Sequence, residues 1–268
     1  MLVAAAFAGV AIWLSAIVAR EWLDEKRLSN RVKDIVELIN APAEAAFQAR
    51  VDAVRFFVSD HSQHEPDAAF RALNGDPVAF ADRIIAHARD ASVPRVHMEC
   101  STRANLMGRI LRSMGYETRT IAVFRTRGEA RSHTFLDVLN PETGAWESQD
   151  PDFDVYWRNK STKARVSLAE VAERLDDVEP CGRSACGWGH VSREGYPVEM
   201  LTEYLDILSV TQKEKNVRYS VYTGRADLSR TFAWAGKTGT FCEVNEKRCK
   251  DGFFRSASAP VQQQPPIN

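Results

Sequence analysis

Between residues 100 and 150 the spacing of apolar side chains changes from helical to alternating, and few architectures accommodate that change. From Cys100 onward, Leu106, Met107, Ile110, Leu111 and Met114 recur at helical intervals, and Gly115 suits the left-handed position that ends a helix. The stretches YETRTIAVF and SHTFLDVLN that follow are rich in β-branched and aromatic residues, and AWESQD comes after a turn at NPETG. The expected core is therefore α+β: a helix carrying the cysteine, packed on an antiparallel β-sheet.

Helical patterns dominate upstream. Leu28, Val32, Ile35, Val36 and Ile39 recur at helical spacing over residues 21–39, and Asn40 and Pro42 end that pattern. A second helix is expected over 43–58 and a third over 67–90, the latter broken by NGDP at 74–77. Downstream, 168–175 and 198–210 read as helices, and 262–266 belongs to a disordered tail. The expected organisation is an anchor over 1–20, a helical lead-in over 21–85, the α+β domain over 86–215 and a C-terminal extension over 216–268. With 268 residues, 44% of them hydrophobic, the chain is long enough for one sizeable core plus these appendages. The net charge of -1 and the lack of long basic runs remove nucleic acid from the expected partners.

Residues 2–19, LVAAAFAGVAIWLSAIVA, form an apolar run whose one polar side chain is Ser15, and its length just suffices to cross a bilayer as a helix. No basic segment precedes the run and the small-residue pattern near Ala19 is a poor cleavage site, so an uncleaved anchor is expected over a signal peptide. The positive-inside rule, applied to Arg20, Lys26, Arg27, Arg31 and Lys33, would keep the body in the cytoplasm. Interspersed Glu21, Asp24, Glu25, Asp34 and Glu37 blunt that bias, and the cysteine usage favours an oxidising compartment. A single-pass protein of a bacterial inner membrane with an extracytoplasmic domain is expected.

Cys100 opens its helix, where unsatisfied backbone N–H groups and the positive end of the macrodipole favour a thiolate and can also hold an oxyanion. A nucleophilic cysteine needs a base, and His133, starting the strand HTFLDVL, is the candidate. If 141–144 is the hairpin loop, Asn140 pairs with Ala145, Phe135 faces Asp150 and His133 faces Asp152 on one side of the sheet. Asp150 is then a diagonal neighbour of His133 and can accept a hydrogen bond from its imidazole.

Over residues 86–157 the chain resembles the transglutaminase-like, papain-related thiol enzymes of bacterial type. The marks are the cysteine opening a helix in ECSTRANLMGRILRSMGYETR, the histidine starting a strand in SHTFLDVLNPETGAW, and the aspartate before proline in ESQDP. The resemblance implies Cys100 as nucleophile, His133 as general acid and base, and Asp150 as the residue orienting His133. It implies a protein or peptide substrate attacked at an amide carbonyl, with water or an amine resolving the thioester, and no cofactor. The alternative is a noncatalytic module whose cleft binds a peptide or scaffolds an envelope assembly.

Cys181, Cys186, Cys242 and Cys249 remain as disulfide candidates; pairing within the close sets would leave Cys100 free, and cross-pairings stay open. A zinc site using these cysteines and His190 is the less favoured rival. His61 and His64, in DHSQHEP, are expected to be solvated loop residues. DPDFDVYW spaces three carboxylates at alternate positions but lacks the glycine and glutamate of an EF-hand loop, so Asp152 and Asp154 are expected on a solvated rim. No metal is expected.

Overall fold

The computed structural model describes residues 2–42, 44–124, 132–193, 195–205, 207–212 and 217–222; for 2–14, 16, 207, 212 and 217–222 the description covers the backbone only. In chain order the elements are α1 (Leu2–Ile39), α2 (Phe47–Asp60), β1 (Ser62–His64), α3 (Ala68–Leu73), α4 (Pro77–Arg89), β2 (Val96–Met98) and α5 (Cys100–Ser113). There follow β3 (Thr118–Phe124), β4 (Ser132–Leu139), β5 (Trp146–Asp150), β6 (Val155–Asn159), α6 (Leu168–Glu173) and β7 (Val178–Cys181). The short pair β8 (Ser192–Arg193) and β9 (Tyr196–Pro197) precedes a 3-10 segment (Val198–Tyr204), β10 (Ile207–Gln212) and β11 (Val217–Tyr222).

Seven strands form one antiparallel sheet in the order β11-β10-β3-β4-β5-β6-β7. Because side chains alternate across a strand, β4 feeds two cores. Phe135 joins Ile121, Val155, Trp157 and Leu168 on one face, where α6 and the 3-10 segment pack. Leu136 and Val138 join Met107, Ile110 and Leu111 of α5 on the other. That second core continues without interruption through Ile84 of α4 and Val51, Val54 and Val58 of α2 to Leu28, Val32 and Ile35 of α1. Burying each such side chain contributes about 1.5–3 kcal/mol relative to leaving it exposed. The expected boundary at residue 86 falls inside α4, and helices on both sides of it share this core.

Local signals set the helix ends. Asp67 and Asp76 cap α3 and α4 by accepting the Phe70 and Ala79 N–H groups at 3.0 and 2.9 Å, and Pro77 occupies the first turn of α4. After α5 the chain reverses at Gly115, whose φ of 90° is the left-handed conformation expected from sequence. Gly108 meets a tighter demand: a Cβ there would lie 3.0 Å from Leu136 Cδ1, so α5 approaches β4 closely.

One expected helix is corrected. Residues 198–210 divide into the 3-10 segment and β10, because β10 gains backbone ladders on both sides, with β3 and with β11. Val198, Leu201 and Leu205 carry the helical spacing, whereas Leu208 and Val210 alternate and are fully buried in the sheet.

α1 is a continuous helix through the apolar run. Among the described residues no helix is long and apolar enough to cross a membrane. The side chains of 2–14 lie outside that description, while Val18, Trp22 and Leu23 are exposed apolar side chains just beyond it.

Candidate active site

Cys100 is the first residue of α5, preceded by Glu99 in an extended conformation (φ -104°, ψ 168°) that turns the chain from β2 into the helix. Its side chain is half-buried and hydrogen-bonds to His133. The carbonyl of Glu99 accepts the Arg103 N–H at 3.0 Å, and the Glu99 carboxylate accepts the Ser101 hydroxyl at 2.7 Å.

His133 is brought opposite the next strand by the β4–β5 hairpin. Asn140 N–H donates to Ala145 O at 2.8 Å, and pairing runs from Leu139↔Trp146 to Leu136↔Gln149. This is the register expected from the sequence, and its continuation sets Asp150 opposite Phe135. His133 Nε2 lies 2.8 Å from Asp150 Oδ2, which leaves Nδ1 for Cys100. Asp150 is fully buried, and its other oxygen accepts the N–H groups of Asp152 (2.8 Å) and Phe153 (3.3 Å), so the carboxylate cannot turn away. Phe135 and Phe153 pack edge-on against the imidazole, with ring centroids 4.8 and 5.7 Å away. Burial opposes the protonated ring, but the charge and hydrogen bond of Asp150, and then Cys100, outweigh it and raise the His133 pKa well above its ordinary value.

Two expectations about the surroundings are overturned. Asp152 is not a solvated rim residue: it is 2% exposed and accepts His64 Nδ1 at 2.9 Å, Arg103 Nη1 at 3.1 Å and Arg193 Nη1. His133 Nδ1 stands 4.0 Å from the same carboxylate. Burial alone would raise the Asp152 pKa; the bond from His64 and the charges of His133, Arg103 and Arg193 instead hold it well below the carboxylate range. His64 is correspondingly not a free loop residue. The parallel pairing of β1 with β2 sets it opposite Met98, two residues before Cys100. Asp154 is likewise tied down, accepting Arg55 Nε at 3.0 Å.

Asp152, His64, Arg103 and Arg193 were the residues that sequence reasoning missed. The one available signal was the hairpin register, which already set His133 opposite Asp152. Cys100, His133, His64, Glu99, Arg193 and Tyr204 are among the residues lining a single cleft of about 350 Å³. Arg193 lies over the Phe153 ring at 4.6 Å and closes one side of it.

Cys181 and Cys186 form a disulfide; Cys242 and Cys249 lie outside the described residues. Among the described residues the one group able to gather a metal ion is Glu179 with Cys181 and Cys186, whose two sulfurs are joined to each other; His190 is not part of it. His61 is half-buried against Phe57 and His87 and lowered in pKa by that burial.

The fold and cleft define an α+β protein with a cysteine, a histidine and an aspartate in hydrogen-bonded series. No family model and no curated protein matches the chain. Among solved structures it is similar to "Crystal structure of a TGase", with 16% identity and a TM-score of 0.32 over 46% of this chain and 31% of that one. It is also similar to "Crystal structure of Rad4-Rad23 bound to a 6-4 photoproduct UV lesion", with 14% identity and a TM-score of 0.31 over 66% of this chain and 45% of that one. The chain thus spans less than half of either structure.

Proposed function

We propose that the protein is a membrane-anchored, transglutaminase-like thiol enzyme that attacks an amide or peptide carbonyl with Cys100. The observation that carries this reading is the series Cys100–His133–Asp150: a cysteine at a helix N-terminus, bonded to a buried imidazole whose far nitrogen lies 2.8 Å from a fully buried carboxylate. His133 takes the thiol proton, and Asp150 supports the imidazolium that results. Attack by the sulfur forms a tetrahedral intermediate, which backbone N–H groups at the start of α5 are placed to stabilise. His133 then protonates the leaving amine, and water or a second amine resolves the thioester. General acid–base assistance of this kind contributes roughly 10²–10⁴-fold.

The anchor is the apolar first half of α1. This reading of residues 2–19 rests on their sequence, an apolar run about 27 Å long as a helix against a hydrocarbon core of about 30 Å, while Leu28, Val32 and Ile35 pack on α2 and α4. Exposed Trp22 and Leu23 suit the interface, and the Cys181–Cys186 disulfide supports an extracytoplasmic domain. Protein or peptide substrates, with an envelope assembly as partner, are part of the same proposal.

Alkylation of the full chain by iodoacetamide near neutral pH tests the reading. Cys100 should react much faster than an ordinary thiol, and His133→Ala should slow it sharply. A Cys100 of ordinary reactivity, together with full biological activity in Cys100→Ser, would favour the noncatalytic binding module instead.

A further inference from the structure

The cleft holds two histidine–aspartate pairs, and the thiol chemistry above uses one. His133 is enclosed: its side chain is 7% exposed, Phe135 and Phe153 cover it, and the open edge of the ring is spent on Cys100. His64 has the opposite situation. Its side chain is 21% exposed on the wall of the same cleft, its Nδ1 is bound by Asp152, and its Nε2 has no hydrogen-bond partner among the described residues. A carboxylate on Nδ1 holds the proton on that nitrogen, so the lone pair of the neutral ring is on Nε2.

A single carboxylate joins the two rings. Asp152 Oδ1 meets His64 Nδ1 at 2.9 Å, and its Oδ2 stands 4.0 Å from His133 Nδ1. Arg103 and Arg193 pair with that carboxylate, so it can accept an imidazole N–H without taking the proton itself. A water or amine in the cleft finds His64 the more open of the two rings, its side chain 21% exposed against 7% for His133.

We propose that His64 is the general base of the second half-reaction, with Asp152 as its positioning residue; this rests on the thiol-enzyme reading. The acceptor oxygen or nitrogen bonds to the thioester carbonyl carbon while its proton passes to His64 Nε2. The tetrahedral intermediate collapses, the C–S bond breaks, and its electron pair returns to Cys100 as thiolate. The acid or amide product leaves, and His64 returns the proton through cleft water to His133, restoring the imidazolium that gave its proton to the first leaving amine. Two bases then serve the two half-reactions.

The test separates the half-reactions. The full chain in detergent is loaded with p-nitrophenyl acetate, and acetyl-Cys100 is followed by intact-mass spectrometry after the reagent is removed. In His64→Ala the loading rate should stay within about twofold of wild type, which also shows that Cys100 and His133 remain correctly folded. Decay of the acetyl adduct should slow about a hundredfold, and added imidazole should restore it. His64→Gln, which keeps a hydrogen bond but no base, should decay as slowly as His64→Ala. Equal decay in wild type and His64→Ala, or parallel loss of loading and decay in both variants, overturns the assignment of His64. A wild-type chain that never acquires the adduct overturns the thiol reading itself, and the inference with it.

Discussion

His133 Nε2 and Asp150 Oδ2 stand 2.8 Å apart with Asp150 fully buried, so the imidazole is held by a carboxylate that water cannot reach. That contact joins two adjacent strands whose register was set by the turn between them. Its energetic consequence is the raised pKa of His133, since burial by itself would lower it.

Replacing Asp150 by Asn should therefore bring the His133 titration down by roughly one to three pH units, because the burial penalty then loses its largest opponent. The folded pKa lies above the unfolded one. Its stabilisation is thus complete below the ordinary histidine value and is lost as the pH rises through the raised value. NMR of the imidazole C–H signal reads the shift directly, and the alkaline limb of acyl loading should move with it. An unmoved titration would mean that Asp150 does not control His133.

Asp152→Asn should destabilise the fold by about 3–5 kcal/mol near neutral pH, because Arg103 loses its buried counter-charge. The sign is opposite to that of His133. With the folded carboxyl held below its ordinary value, the stabilisation is present above that value and disappears as the pH falls through the depressed one. Urea midpoints of wild type and variant should differ widely near pH 7 and draw together only as the pH falls well below the ordinary carboxyl value. A constant difference across that range would refute the charge-pairing account.

Arg55 is the buried cation that joins α2 to the sheet, donating to Asp52 at 2.7 Å, Asp154 at 3.0 Å and Gln149 at 2.6 Å. Arg55→Ala leaves a cavity and removes one partner each from Asp52, Asp154 and Gln149, while Arg165 and Arg183 still hold the two carboxylates, and should cost about 2–5 kcal/mol. Arg55→Met restores the volume and should recover part of that loss. Denaturant unfolding of the two variants decides the matter; a loss below about 1 kcal/mol in Arg55→Ala would show that the network contributes little.

The Cys181–Cys186 loop presents Arg183 to Asp60 at the end of α2 and to Asp154 in the turn after β5. Replacing both cysteines by serine should lower stability by about 2 kcal/mol, the value expected for so short a closed loop. Nonreducing peptide mapping should find this loop closed in the native chain. Free thiols at both positions in freshly prepared native protein would contradict the disulfide and the oxidising location together.

Much of the site was legible because it rests on local periodicity. The helix from Cys100 to Gly115 follows from apolar side chains every three to four residues, and the hairpin register follows from a turn whose loop length leaves Asn140 opposite Ala145. A two-residue period then decides which face Phe135 and Asp150 share. The same reasoning failed at residues 198–210, where a helical spacing of Val198, Leu201 and Leu205 was outweighed by the ladder bonds that β10 gains from two neighbours.

By itself the sequence determined the α+β pattern, the placement of Cys100 at a helix start and the pairing of His133 with Asp150, because each depends on spacing within one segment or one hairpin. Only the tertiary structure decided that His64, Arg103 and Arg193 converge on Asp152. Those groups come from β1, α5 and β8, and no periodicity encodes their meeting. A buried carboxylate must find cations somewhere, but which ones it finds depends on how the helices and strands pack.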